Sequence, residues 1–466
     1  MSDVSIGVGV SPLDTVRKHK TILGHPAGLF VLFFTEMWER FSYYGMRALL
    51  VLYMLNFLLP AAESGKIHVL GFGALRSGIE GVFGPMGIQP LSSQIYGLYT
   101  AFVYFTCFFG GMLADRVLGQ RKSVFLGGSL IAVGQFLLAS PALFLAGLLV
   151  LIIGNGAFKP NISTQVGSLY PQGDPRRDRA FTIFYMGINL GAFFSPLVCG
   201  TLGQLYGWQY GFSAAGVGMI GGLLVYLWGQ SYLAQDHLSR AKQTHEEKKP
   251  FTFQEWKGIA GLIVLCALNV VFWGVYEQQG NTIQIFADKN TDWHVFGFEM
   301  PSTWFQAFNP MFIFLLAPLL SMFWTGQSRR GKEPGSVIKM GMGCVLLGLG
   351  FLPLMYISAG LQPDQKISFL WLGGSTLVYT LGELYLSPIG LSLVTKVAPA
   401  RIVSMMMGVW FLANFLGNYL TGYLGTFYEK MPRQAFFSLL AALAVGAGLA
   451  IFALSKPLKS AVGHNN

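Results

Sequence analysis

Twelve stretches of this chain are apolar and long enough to cross a hydrocarbon layer about 30 Å thick. They run over 27–58, 92–114, 122–140, 142–168, 179–204 and 209–229, then over 257–286, 302–326, 336–358, 367–395, 402–427 and 434–454. In lipid every backbone N–H and C=O must find its partner within the protein, so runs of this length have to be α-helices. With 53% hydrophobic and 11% charged residues and a mean hydropathy of +0.52, the chain is too apolar for a water-soluble globule. The fold class predicted is an all-α membrane protein, its twelve transmembrane helices divided six and six.

Between the two sets, residues 230–256 are charged, mixed in sign and without an apolar run of membrane length. The predicted organisation is a cytoplasmic N-terminal tail 1–26, a six-helix bundle 27–229, a cytoplasmic linker 230–256, a second six-helix bundle 257–455 and a cytoplasmic C-terminal tail 456–466. The first span is too long and too charged for a cleavable signal. With the N-terminus inside, the cytoplasmic segments collect Arg116, Arg121, Lys122, Arg176, Arg177, Arg179, Arg329, Arg330, Lys332, Lys456 and Lys459, so both termini are expected in the cytoplasm, at the cytoplasmic (inner) membrane. The net charge of +10 then reports topology, and no nucleic-acid partner is needed to explain it. Cys107, Cys199, Cys266 and Cys344 all fall in apolar runs without metal-ligand spacing and read as small core residues. No metal site and no cofactor are expected.

The first span is the exception to the apolar rule. At about 100° per residue, Glu36, Glu39, Arg40, Tyr43, Tyr44 and Arg47 fall on one stripe narrower than half the helix circumference. Each charge at bilayer depth costs on the order of 3 kcal/mol on insertion scales, so the stripe must face partner helices or a wet cavity. Other intramembrane ionisable groups are Lys159, Glu277 and Glu383, with the amides of Asn189 and Asn309 at similar depth.

Six plus six spans around a polar linker point to the major facilitator fold, two bundles enclosing a central cavity. The loop Gly110-Gly-Met-Leu-Ala-Asp115-Arg116-Val-Leu-Gly-Gln-Arg121 lies where that fold carries a glycine turn with a cytoplasmic Asp/Arg cluster, formed here by Asp115, Arg116 and Arg121. Four further strings sharpen the likeness: Glu36xxGlu39-Arg40-Phe-x-Tyr43-Tyr44-Gly45, Gly154-Asn-Gly-Ala-Phe-Lys159-Pro-Asn161, Phe184-Tyr185-x-x-Ile-Asn189-x-Gly191 and Gly382-Glu383-Leu-x-Leu-Ser387-Pro-Ile-Gly. Together, on the expected spans, they resemble the proton-coupled oligopeptide transporter (POT, or PTR) family. The resemblance implies a proton-driven symporter that imports di- and tripeptides by alternating access, with protons as the coupling ion and no other cofactor.

A short peptide is a zwitterion with variable side chains, so its site needs anion donors at one end, acceptors at the other and adaptable walls. Arg40, Arg47 and Lys159 suit a carboxylate and Glu383 an ammonium. The resemblance places Asn189, Asn309 and Glu383 around the amino end and supplies Tyr43, Tyr44, Tyr104, Trp273 and Trp410 as walls. Four intramembrane glutamates against three bases leave one carboxylate without a cation, which puts proton coupling on Glu36, Glu39 and Arg40, with Glu277 as second candidate. The second span has no histidine, unlike some family members.

The resemblance also implies two salt bridges between the halves, Arg47–Glu277 and Lys159–Glu383, that form and break during transport. The competing expectations are static ion pairs at both places, a proline-kink role for Asn309, and interhelical hydrogen bonding for Asn414 and Asn418. The chain has no room for the two extra spans of many bacterial members or for the large outer domain of animal members. The segment 60–91 carries no motif. As alternatives, a carrier of nitrate or another small anion has less use for Glu383 and the two amides, and a proton-driven drug exporter has less use for Arg40 and Lys159. No enzyme signature appears, and the short tails argue against a nutrient sensor. The lipid bilayer, peptides and protons are the expected partners, and a monomer is the expected working unit.

Overall fold

The computed structural model describes residues 21–171, 174, 176–234, 252–362, 365–398 and 403–462. The expected N-terminal tail before Thr21 and most of the expected linker lie outside them. Among the described residues, twelve long helices cross the molecule. In the first half these are span 1 (Ala27–Tyr53), span 2 (Ile88–Leu113), span 3 (Gln120–Leu138), span 4 (Phe144–Ser168), span 5 (Arg176–Ser195) and span 6 (Trp208–Trp228). The second half has span 7 (Phe253–Tyr276), span 8 (Phe308–Arg329), span 9 (Ser336–Gly350), span 10 (Phe369–Val397), span 11 (Val403–Gly425) and span 12 (Arg433–Ala453). Ten described helices, extensions included, are long and apolar enough to cross a membrane. Gln120–Leu138 and Val403–Gly425 complete the set, packed on spans 4 and 6 and on spans 2 and 7 respectively.

Two separate apolar cores account for two bundles. One is built from spans 1–6, with Phe144, Phe158, Phe212 and Tyr226 at its centre. The other is built from spans 7 and 9–12 around Phe272, Phe351, Phe436 and Phe437, with a smaller cluster of Ile313, Leu320, Leu384 and Tyr385 between spans 8 and 10. The end of span 1 crosses over, with Val51, Leu52 and Leu55 packed in the second core, and Ile88 and Trp208 pack against both cores. Because the chain alternates direction, the bundle has a near face, where spans 1, 3, 5, 7, 9 and 11 begin, and a far face, where the even spans begin.

Several spans are longer and less regular than the hydropathy runs suggest. Span 1 continues through a π-helical turn, Met54–Leu58, and span 5 through two, Pro196–Gly200 and Leu202–Tyr206. Pro196 supplies no N–H at the first of these, which loosens the ladder where the register slips. Span 7 starts at a capping box, Thr252 with Glu255, four residues ahead of its apolar run. It ends in a 3-10 turn, Glu277–Gly280, before a short helix, Thr282–Lys289.

Two segments outside the spans also take definite form. The described part of the C-terminal tail lies in a helix, Ser455–Val462, hydrogen-bonded to the start of span 7 through Lys257 Nζ to Ser460 Oγ at 2.5 Å. The unread segment 60–91 holds a helix, Phe72–Phe83, pinned by Arg76, whose guanidinium bonds Glu80 at 2.9 Å and Glu63 at 2.7 Å.

Candidate site: a charged cavity between the halves

The motif glycines act by letting backbones touch. A β-carbon on Gly191 would collide with the Met37 carbonyl of span 1, one on Gly45 with Cys199 of span 5, one on Gly156 with Thr106 of span 2, and one on Gly382 with the Gly343 carbonyl of span 9. Each glycine therefore sets the position of the charged residue beside it. Gly191 in particular draws span 5 against the turn of span 1 that carries Arg40.

Glu36, Glu39 and Arg40 form a closed group buried in the first half. Arg40 Nε lies 2.5 Å from Glu39 Oε2 and 3.1 Å from Glu36 Oε1. The second oxygens of both carboxylates and the Nη2 of Arg40 have no hydrogen-bond partner among the described residues. One guanidinium thus serves two carboxylates, which is one positive charge against two negative ones unless a proton joins them.

Two turns further, Arg47 Nη2 meets Glu277 Oε2 of the other half at 2.5 Å, and its Nε donates to the Tyr96 hydroxyl at 2.8 Å. Lys159 and Glu383 are not joined in this structure. The Lys159 ammonium sits over the Tyr104 ring, 4.0 Å from its centroid. Glu383 Oε2 accepts from the Tyr276 hydroxyl at 2.6 Å and from Asn309 Nδ2 at 2.9 Å, with Asn309 also donating to Thr380 Oγ1 at 3.0 Å. The halves stand apart at that depth, so each charge has found a partner in its own half. This answers the proline-kink reading of Asn309: its amide is spent on Glu383 and Thr380. Asn414 and Asn418 bond carbonyls of their own helix, at Trp410 and Asn414, rather than a neighbouring one.

Between these groups lies a cavity of about 720 Å3, counted out to its open mouth and including solvent there. Of the residues singled out from sequence, Tyr44, Arg47, Tyr104, Asn189, Trp273, Glu277, Asn309 and Glu383 line it. Asn189 donates to the Tyr185 carbonyl of its own helix at 3.0 Å. The Trp273 indole N–H is buried without a partner among the described residues, a donor for a ligand carbonyl. Trp410 instead packs on Gly390 of span 10 and is 5% exposed, so in this structure it is a core residue. Tyr43 lies beside Arg40, 5.3 Å from guanidinium carbon to ring centroid, and does not reach the lining.

Tyr185, Tyr276, Gln279, Gln306 and Ser387 also line the cavity and were missed as site residues. Tyr185 and Ser387 stand inside the motif strings and could have been found there. Gln279 and Gln306 sit in 3-10 segments, where helical periodicity no longer says which way a side chain points.

In the loop motif, Arg121 donates to the carbonyls of Leu233 and Ala234, fastening the chain that leaves span 6. Asp115 and Arg116 are exposed on a π-helical turn that Gly119 closes at φ 79°, a backbone conformation suited to glycine.

The sequence model of the POT family matches residues 121–244 and 235–441. This chain belongs to the POT family. Among curated proteins it is 33% identical to the peptide transporter YePEPT of Yersinia enterocolitica, covering 87% of this chain and 88% of that one. It is 31% identical to a di-/tripeptide transporter of Lactococcus lactis, over 96% of this chain and 98% of that one. A mutant of the peptide transporter POT, crystallised with alafosfalin, superposes with a TM-score of 0.82 at 32% identity over 96% of this chain and 99% of that one. The major facilitator fold and the family reading therefore stand on sequence and structure alike, and this POT member is an integral membrane transporter.

Proposed function

We propose that this POT member is a proton-coupled symporter that carries di- and tripeptides into the cell by alternating access. The observation that carries the reading is the polarity of the cavity. Glu383, held by two neutral donors, presents a carboxylate from the second half. Arg47 lines the same cavity from the first half, with Arg40 and Lys159 behind it. A zwitterion of peptide length satisfies both ends at once, its ammonium at Glu383 and its carboxylate toward the basic side, with Trp273, Tyr44, Tyr104 and Tyr276 as walls.

A nitrate carrier would gain nothing from the clamp on Glu383. The peptide names of the two curated relatives point the same way. The missing hydrogen-bond partners at Glu36, Glu39 and Arg40 support that group as the proton site: one proton shared there makes it neutral and loosens the carboxylates' hold on Arg40, which can then attract an anion, and loss of the proton restores that hold. Glu277 is engaged by Arg47 and serves as the interhalf bolt.

The state described is closed at the far face. Hydrogen bonds between the halves gather there: Asn56 to Asp288 at 3.2 Å, Gln204 to Ser302 at 2.8 Å, Trp304 to Thr201 at 2.8 Å, Ser93 to Asn281 at 2.9 Å and Gln89 to the Gly425 carbonyl at 3.0 Å. With both termini in the cytoplasm, as the Lys/Arg distribution argues, the near face is cytoplasmic and this is an inward-facing state. The chain works as a monomer in the cytoplasmic membrane and catalyses no covalent reaction. Counterflow of labelled dialanine in proteoliposomes is the direct test. Accumulation against unlabelled dialanine is expected, whereas counterflow of nitrate without dialanine movement would reverse the assignment.

A further inference from the structure

Between the helix Thr282–Lys289 and span 8, the chain forms a hairpin at the far face. His294 pairs with Glu299 and Val295 with Phe298, and the two-residue tip is Phe296-Gly297, at φ 49° and 82°. Two successive positive φ values are the turn that suits a tight hairpin, and asparagine or glycine is the usual first residue. A phenylalanine there carries backbone strain that asparagine or glycine would avoid, yet its ring touches nothing in the protein: Phe296 is 106% exposed.

Successive pairs of a hairpin point to opposite faces. Val295 and Phe298 therefore share one face and His294 and Glu299 the other. The charged face is fixed in water by chemistry. His294 Nδ1 lies 2.8 Å from Asp292 Oδ1, and the His294 backbone N–H, then its ring, hold the Asp292 carboxyl below its ordinary range. The apolar face is continuous with the membrane-crossing part: the Phe298 ring stands 6.1 Å from Trp304, in the turn that leads into span 8.

We propose that this hairpin is an interfacial anchor, with Phe296 and Phe298 inserted at the headgroup–acyl boundary of the far-face leaflet while Asp292, His294 and Glu299 remain in water. Aromatic rings on an amphipathic element at the level where a span begins are what that boundary accommodates. A protein partner fits less well, since two rings and a valine fall far short of the roughly 1,000 Å2 that a stable interface buries.

The anchor is also tied to the far-face seal. Met300 N donates to the Trp293 carbonyl at 3.1 Å, and Trp293 Nε1 to the Ala287 carbonyl at 2.7 Å. The next residue, Asp288, accepts from Asn56, Gln204 and Ser302. A hairpin held in the leaflet thereby holds the carboxylate on which spans 1, 5 and 8 converge.

The test uses the full chain in proteoliposomes with a nitroxide attached at Phe296→Cys, Phe298→Cys or Glu299→Cys, the described native cysteines being buried. Collision with lipid-soluble oxygen is compared with collision with a water-soluble nickel chelate. The oxygen-to-nickel ratio should be several-fold higher at 296 and 298 than at 299. Equal, water-like ratios at all three sites would overturn the proposal. So would poor access of both reagents at 296, which would mean that protein covers the tip.

Discussion

Gly97 of span 2 and Gly422 of span 11 meet backbone to backbone across the two halves: a β-carbon on Gly97 would stand 2.5 Å from the Gly422 Cα. The contact lies on the far side of the cavity, beside the Ser93–Asn281 and Gln89–Gly425 bonds. It lets two helices of different bundles touch where the far face is sealed.

Gly97→Ala should wedge that seal apart. The clash is with backbone, which cannot turn aside, and overpacking of this kind typically costs about 1–3 kcal/mol. A cysteine placed at Gln89, buried in this state, should react faster with a membrane-impermeant maleimide in the Gly97→Ala background than in its absence. Unchanged labelling would show that the glycine contact is incidental.

The two expected interhalf pairs should behave differently in this state. Removing Arg47 or Glu277 alone orphans a buried charge, at about 3–5 kcal/mol, whereas Arg47→Leu/Glu277→Leu removes both and recovers much of the loss. Lys159→Leu and Glu383→Leu should add within about 0.5 kcal/mol, because the two side chains have separate partners. Thermal unfolding of the four singles and two doubles in detergent reads this out. Strong coupling between Lys159 and Glu383 without ligand would contradict the separation seen here.

Glu36→Gln or Glu39→Gln should abolish peptide accumulation driven by a pH gradient and spare peptide-for-peptide exchange, which moves no net proton. If both variants keep full gradient-driven uptake in proteoliposomes, the group has no part in coupling.

The clamp on Glu383 predicts end-specific losses. Tyr276→Phe or Asn309→Ala removes one hydrogen bond worth about 1.5–3 kcal/mol to a charged acceptor, so affinity for dialanine should fall about tenfold or more. Amino-acetylated dialanine, which lacks the ammonium, should bind wild type poorly and lose little further in these variants. Competition against labelled dialanine measures both. A uniform loss for free and acetylated peptide would place these residues away from the amino end.

Helix Phe72–Phe83 should loosen in acid. The Met86 N–H and then Arg76 hold the Glu80 carboxyl below its ordinary value of 4.5. A depressed folded pKa means support that is present above the unfolded value and lost as pH falls through the folded one. Amide exchange of residues 72–86 should therefore rise on acidification below about pH 4.5, and Glu80→Gln should flatten that dependence. An identical acid profile in the variant would remove Glu80 as the cause.

By itself the sequence determined the twelve helices, the two bundles and the inventory of buried charge. The lipid solvent enforces these through composition alone: long apolar runs must be helices, and a stripe such as Glu36–Arg47 must turn inward. The family resemblance paired Arg47 with Glu277 across the halves, and the structure joins them. Only the tertiary structure decided which partner each charge takes. Glu383 is clamped by Tyr276 and Asn309, Lys159 rests on Tyr104, and Trp410 is spent on packing against Gly390. Helical periodicity fixes the direction of a side chain about its own axis but carries no information on the distance to another helix. That distance depends on glycine contacts such as Gly97–Gly422 and on how far the halves have swung. Where the register breaks, at Glu277–Gly280 and Ser302–Ala307, even the direction is lost, which is why Gln279 and Gln306 came to light only in three dimensions.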